Sequence, residues 1–216
     1  MEKLAVSEVL IRNVHGATVV KPFRLVYKHN NAQKVWDMIE VDDSFHVIVF
    51  NVTRKKLLFL ERFRPAIYYN SIPQSARDGD QIDTTKYPAS LGITLEMCAG
   101  IVDKKKSINE IAREEVLEEC GYDVPPGILH KVTSYRAGVG VQGSLQTLFY
   151  CEVTDDMKVG NGGGVEDEII EVVEKSISEV EKWISGPGPL SSPPSCLFAV
   201  MWFLRHKADR YRNQVF

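Results

Sequence analysis

Apolar and polar positions alternate from the first forty residues onward. Phe23, Leu25 and Tyr27 interleave with Arg24, Val26 and Lys28, and His29-Asn30-Asn31 supplies turn residues. Lys34 to Glu40 then reads as the returning arm of a hairpin. Two nearly continuous apolar runs follow, Phe45 to Phe50 and Leu57 to Leu60, separated by the turn-like Asn51-Val52-Thr53-Arg54. Runs of this kind predict strands buried in a core. Ile93–Cys98, Leu129–Arg136, Leu145–Val153 and Ile169–Val173 read as further strands. The stretch Asn70 to Ser90 is polar, holds Pro73 and Pro88, and has neither periodicity, so a surface loop is expected. Ser176 to Ser185 opens with a capping box, Ser176 with Glu179, and carries Ile177, Val180 and Ile184 on one face. After the proline-rich connector Gly186–Pro194, Cys196 to His206 reads as an apolar closing helix.

One helix differs from the rest in what it places on its inner face. Ser107 with Glu110 forms a capping box, and Gly121 supplies the left-handed residue that ends a helix. At 100° per residue Ile108, Ile111 and Ala112 mark the buried face, and Glu115, Glu118 and Glu119 continue it one turn later. Like charges at i,i+4 repel by roughly 0.2–0.5 kcal/mol per pair and lose hydration when covered. A divalent cation removes both penalties, and carboxylate oxygens favour Mg²⁺, Mn²⁺ or Ca²⁺ over zinc. The competing reading is a solvated acidic helix face.

Composition narrows the field. Among 216 residues, 44% hydrophobic and 25% charged content are those of an ordinary globular protein, long enough for one full core with a small accessory unit. A net charge of −3 offers no electrostatic reason to expect a nucleic acid partner. The amino terminus lacks a basic-then-apolar signal segment, and the longest apolar run, Cys196 to Leu204, is far short of a membrane span. The four cysteines, Cys98, Cys120, Cys151 and Cys196, have no CxxC spacing, and the five histidines are dispersed. Reduced cysteines and a cytoplasmic location are expected, without a zinc site.

The spacing of Gly100, Glu115, Val116, Glu118-Glu119 and Gly121-Tyr122 resembles the Nudix box, a loop–helix–loop that binds metal-complexed diphosphates. The resemblance implies that Glu115, Glu118 and Glu119 bind metal and that the backbone carbonyl of Ala99 is a further ligand. Two positions depart from the pattern: Lys106 stands where a glutamate is expected, and Glu114 where an arginine is expected, with Arg113 one place early.

Trp36-Asp37, the segment Arg62-Phe63-Arg64-Pro65-Ala66, Glu119-Cys120-Gly121-Tyr122, the Gly138-Val139-Gly140 loop and Gly162–Val173 resemble the UDP-glucose diphosphatase branch of Nudix hydrolases. That branch implies an α/β/α sandwich with a mixed sheet (43–216) and an amino-terminal antiparallel β unit (1–42) that packs against, or exchanges with, a partner in a homodimer. It implies Mg²⁺-dependent hydrolysis of UDP-glucose to UMP and glucose 1-phosphate, with Mn²⁺ as a substitute. Arg64 matches the substrate-contacting arginine, Glu166 the catalytic base and Glu168 an additional metal ligand, on a flexible glycine-rich tether. Trp36 reads either as core filling or as a stacking partner for a base, and Gly138 and Gly140 either as a phosphate cradle or as turn residues. Hydrolysis of ADP-ribose to AMP and ribose 5-phosphate is the alternative activity; the acidic pair common in that branch is replaced here by Gln142-Gly143-Ser144-Leu145-Gln146. A Nudix fold that binds nucleotides with little turnover is a third reading, motivated by Lys106 and Glu114.

Overall fold

The structure, a computed structural model, describes residues 4–12, 16, 20–165 and 168–212. In chain order, β1 (Val9–Leu10), β2 (Lys21–His29) and β3 (Ala32–Glu40) precede β4 (Ser44–Asn51) and β5 (Lys56–Phe63). Next come α1 (Pro65–Ser71), β6 (Gln81–Ile82), β7 (Ile93–Glu96), β8 (Cys98–Ile101) and α2 (Ile108–Cys120). The chain closes with β9 (His130–Arg136), β10 (Leu145–Val153), β11 (Ile170–Ser176), α3 (Ile177–Ile184), α4 (Pro194–His206) and α5 (Asp209–Arg212).

Seven strands form one mixed sheet. Strands β11, β5, β4, β10 and β9 lie side by side in that order, with β10 parallel to β4 and the other pairs antiparallel. Because strand side chains alternate, β4 and β5 send residues to both faces, and both faces are covered. Phe45, Val47, Val49, Leu58 and Leu60 meet Ile111, Ala112 and Val116 of α2. Ile48, Phe50, Leu57 and Phe59 meet Val180 of α3 and Ala199, Val200 and Phe203 of α4. Double coverage explains why these strands read as continuous apolar runs, and it makes the fold the expected α/β/α sandwich. Each large side chain so buried contributes about 1.5–3 kcal/mol.

The sheet is split where the site lies. Strands β4 and β5 pair only at Phe50–Leu57 and Asn51–Lys56. Beyond that they part; β7 pairs with β5 and β8 with β4. The segment expected as one strand, Ile93–Cys98, is therefore broken at Met97, because its two halves serve diverging neighbours. A second expectation is also corrected. The 70–90 stretch is not structureless: α1 runs into it, β6 pairs with β1, and Tyr68, Ile72 and Ile82 form a small core there. The Tyr68 hydroxyl fastens this core by donating to the Tyr87 carbonyl at 2.6 Å.

Among the described residues strands β2 and β3 pair only with each other. Asn30 and Asn31 take φ of +50° and +61°, the left-handed pair a two-residue hairpin turn requires. Both faces of the hairpin are open: Phe23, Leu25, Val26, Val35 and Trp36 are 46% to 55% exposed. Trp36 is thus not core filling. Two hydrogen bonds tie β3 to the body, Trp36 Nε1 to the Gly140 carbonyl at 2.6 Å and the Ile39 amide to the Val141 carbonyl at 2.9 Å. Among the described residues no helix is long and apolar enough to cross a membrane.

Candidate functional site

Helix α2 forms as its caps dictate. Ser107 Oγ accepts from the Glu110 amide, the Glu110 carboxylate accepts from the Ser107 amide at 2.8 Å, and Gly121 closes the helix at φ +79°. Burial of Ile111, Ala112 and Val116 then fixes the rotation of the helix against the sheet. The three glutamates are not equally inward. Glu119 is 1% exposed, whereas Glu115 and Glu118 are half-buried at the rim.

Glu119 is held from two sides. One carboxylate oxygen accepts from the Ala99 amide at 3.0 Å, and the other pairs with Arg62. Even so, burial pushes its carboxyl upward, only partly offset by Arg62. Glu115 lies against Gly100, where an added Cβ would come within 2.9 Å of its side chain and 2.7 Å of Phe45. Glycine at 100 is what lets β8 approach the helix this closely. Burial, then the charges of Glu119, Glu118 and Glu168, push the Glu115 carboxyl from an ordinary 4.5 to about 7. The site therefore carries more negative charge than its own cations balance, and its donors are hard oxygens, which suits a divalent cation. Among the described residues no three His, Cys, Asp or Glu side chains converge into a ready metal cage. Both Glu119 oxygens are engaged, by Arg62 and by the Ala99 amide.

Arg64 takes a different partner. Its Nε and Nη2 donate to the two oxygens of Glu96 at 2.7 and 2.6 Å. Sequence reasoning singled out Arg64 and overlooked Arg62, Glu96 and Thr94. A signal was available for one of them: a two-residue period continued one residue past β5 puts Arg64 on the same side as Arg62.

The two departures from the box pattern touch each other. Lys106 Nζ forms an ion pair with Glu114, and Lys104 approaches the same carboxylate at 3.6 Å. The charges are reversed at both ends, so opposite signs still meet. Arg113 points elsewhere, its Nε donating to the Val124 carbonyl at 2.6 Å. Glu114 is thus taken up by two lysines.

The glycine tract is a docked loop, not a loose tether. The Gly163 and Gly164 amides donate to the Glu119 and Glu118 carbonyls at 3.0 and 3.1 Å. A Cβ on Gly162 would overlap the Glu119 carbonyl, and one on Gly121 would overlap the carbonyl of Gly160. These amides satisfy carbonyls that the end of a helix leaves unpaired. The loop delivers Glu168, which is exposed, accepts from the Val165 amide at 3.3 Å, and adds its charge to Glu115 and Arg64. Glu166 lies outside the described residues.

Trp36, Gly138 and Gly140 form a second group. Gly138, at φ +52°, turns the chain, and its carbonyl accepts from the Val141 and Gln142 amides at 2.8 and 2.9 Å. The Gln142 side chain fills the space a Cβ on Gly138 would need. A cavity of about 370 Å³ lies beside this loop, bounded by Glu40, Ser44, Ile101, Gln142 and Gln146 among others. Ile101 is two residues along β8 from Ala99, so roughly 6–7 Å of strand connects the two groups.

No family model matches the chain. It is 38% identical over 193 residues to the uridine diphosphate glucose pyrophosphatase NUDT14 of Bos taurus, covering 84% of this chain and 86% of that protein. The NUDT14 protein of Mus musculus is 36% identical over 195 residues, with 85% and 87% covered. A GDP-mannose pyrophosphatase of Salmonella paratyphi B is 33% identical over 132 residues, 61% of this chain and 59% of that protein. With likeness of this degree along most of both chains, and a carboxylate helix set against a split mixed sheet, the protein belongs to the Nudix hydrolases.

Proposed function

We propose that the protein hydrolyses the diphosphate of a nucleotide sugar, UDP-glucose to UMP and glucose 1-phosphate, with Mg²⁺ bound at the α2 carboxylates. The observation that carries this is the half-buried Glu115 carboxyl crowded by Glu118, Glu119 and Glu168, in a chain so similar to UDP-glucose pyrophosphatases. Glu115, Glu118 and Glu119, with the Ala99 carbonyl and Glu168, would hold the metal. When bound, it would neutralise the diphosphate and lower the pKa of a coordinated water. Arg64 would hold non-bridging oxygens with its planar fork, and Glu166 would accept the water's proton. Trp36 and the 138–140 loop would take the base or sugar end. Hydrolysis of UDP-glucose with release of UMP, resolved by chromatography against ADP-ribose and GDP-mannose, tests the substrate assignment. Four buried, unpaired cysteines suit a reducing compartment, and we place the protein in the cytoplasm.

Loss of one ligand weakens charge neutralisation, so Glu115→Gln and Glu119→Gln should each lower kcat by about 100-fold or more with the fold intact. Steady-state rates at saturating UDP-glucose and limiting Mg²⁺ check this; near wild-type turnover in both would sink the assignment.

The raised Glu115 pKa makes a pH prediction. Between its ordinary value of 4.5 and about 7, the folded protein keeps a proton there that the unfolded chain has shed. Metal-free stability therefore falls as pH rises through that window. Mg²⁺ must displace this proton, so the melting shift it produces should be small at about pH 5.5 and larger at about pH 8. Equal shifts at both pH values, measured by scanning fluorimetry, would place the ion elsewhere.

The reversed pair makes another. Glu114→Arg alone would set three cations together and should raise the Mg²⁺ concentration for half-maximal rate. Adding Lys106→Glu should restore it to near wild type. Failure of the double variant to recover would mean the pair does not support the site.

The open faces of the β2–β3 hairpin support a homodimer in which the 1–42 unit packs on, or exchanges with, the partner's 43–216 domain. A lone two-stranded hairpin is marginal in water. Light scattering at micromolar concentration should give twice the chain mass, and a stable monomer would rule this out.

A further inference from the structure

Arg62 of β5 and Arg64, one residue past its end, differ in their surroundings. Arg62 is 15% exposed on its side chain and committed to Glu119, with its Nε buried and unpartnered. Arg64 is 44% exposed and stands at the end of the strand, its backbone amide bonded to the Gly92 carbonyl at 2.8 Å. Its partner Glu96 is 7% exposed and is held in turn by Thr94, whose hydroxyl donates to Glu96 Oε1 at 2.6 Å.

How Glu96 grips Arg64 matters. A guanidinium has five N–H donors arranged as a side fork, Nε with one Nη, and an end fork, Nη1 with Nη2. Glu96 occupies the side fork. Among the described residues three N–H groups remain untaken, two on Nη1 and one on Nη2, on the edge of the guanidinium away from Glu96. Two such parallel N–H groups match two oxygens of one phosphate. Glu96 is itself kept anionic: burial works against its charge, but the Arg64 and Thr94 hydrogen bonds prevail and hold its carboxyl below the ordinary range.

We infer that Glu96 is a positioning residue for the reaction, gripping Arg64 by its side fork so that the end fork is presented to the diphosphate. The inference rests on the proposed role of Arg64. Glu96 does not touch substrate; it removes the rotamer freedom that a long, exposed arginine would otherwise lose on binding. Its contribution falls on substrate affinity and passes through Arg64.

The test is a double-mutant cycle on the full chain with UDP-glucose and saturating Mg²⁺. Arg64→Ala should raise KM, and Glu96→Gln should raise it about tenfold with a smaller change in kcat, the signature of lost binding shared by ground and transition states. In the Arg64→Ala background, Glu96→Gln should change KM by less than about twofold, because its route of action is gone. An equal KM effect in both backgrounds would make Glu96 merely structural and overturn the inference. An unchanged KM in Arg64→Ala would instead remove the role proposed for Arg64. Should Glu96→Gln fail to fold, Thr94→Val loosens the same carboxylate while sparing the ion pair. Its expected KM rise of about two- to fivefold must likewise vanish without Arg64.

Discussion

The site depends on holding one carboxylate inside the protein. A buried ion left alone costs several kcal/mol, and Glu119 is almost wholly covered. Three elements meet to meet that cost: α2 supplies the carboxylate, β8 the Ala99 amide and β5 Arg62. The arrangement requires the split in the sheet. If β4 and β5 stayed paired along their length, β7 and β8 could not enter between them, and the Ala99 amide would have no route to the helix. Gly100 completes the fit by removing the side chain that would hold β8 away from Glu115.

Much of this was legible in the chain. The helix boundaries followed from Ser107, Glu110 and Gly121, and the hairpin from its alternation and paired asparagines. Double-sided strands showed themselves as unbroken apolar runs. What stayed hidden depended on contacts between distant segments. Nothing local in Ile93–Cys98 says that its halves pair with different strands. The helical period put three glutamates on one face, but only packing against β8 decides that Glu119 goes inside while Glu118 remains at the rim. The 160–164 glycines read as a flexible tether because glycine is permissive anywhere; the close approach of Gly162 to the end of α2 exists only once the helix is in place.

The pairing of Lys106 with Glu114 bears on how a motif carries information. Taken position by position, the chain misses the Nudix pattern twice, and each miss looks like a loss. Taken as a contact, the two misses are one change, a reversal of both charges that leaves attraction in place. Coulomb interaction depends on the product of the charges, so reversing both preserves the sign of the energy. The reversal is not free of consequence, because Lys104 is also near Glu114 and an acidic residue at 106 would face a different neighbourhood. A one-position change would be expected to do harm here, whereas the paired change can be neutral.

Contact partners also separate Arg62 of β5 from Arg64 just past its end. Their chemistry is identical and their spacing places both toward α2, so no local rule distinguishes them. The distinction comes from which carboxylate each one meets. Glu119 lies in the interior and takes Arg62 with it, leaving that guanidinium as a counter-charge with little surface. Glu96 is also buried, but Arg64 stands past the strand's last residue and reaches back to it, so its side chain stays 44% exposed. A buried carboxylate that fixes an exposed arginine pre-organises a phosphate clamp without neutralising its reach, since a charge-assisted pair on one edge leaves the donors on the other edge unpaired. The end of β5 therefore converts one residue type into a structural counter-ion and, two residues later, into a group available to ligand.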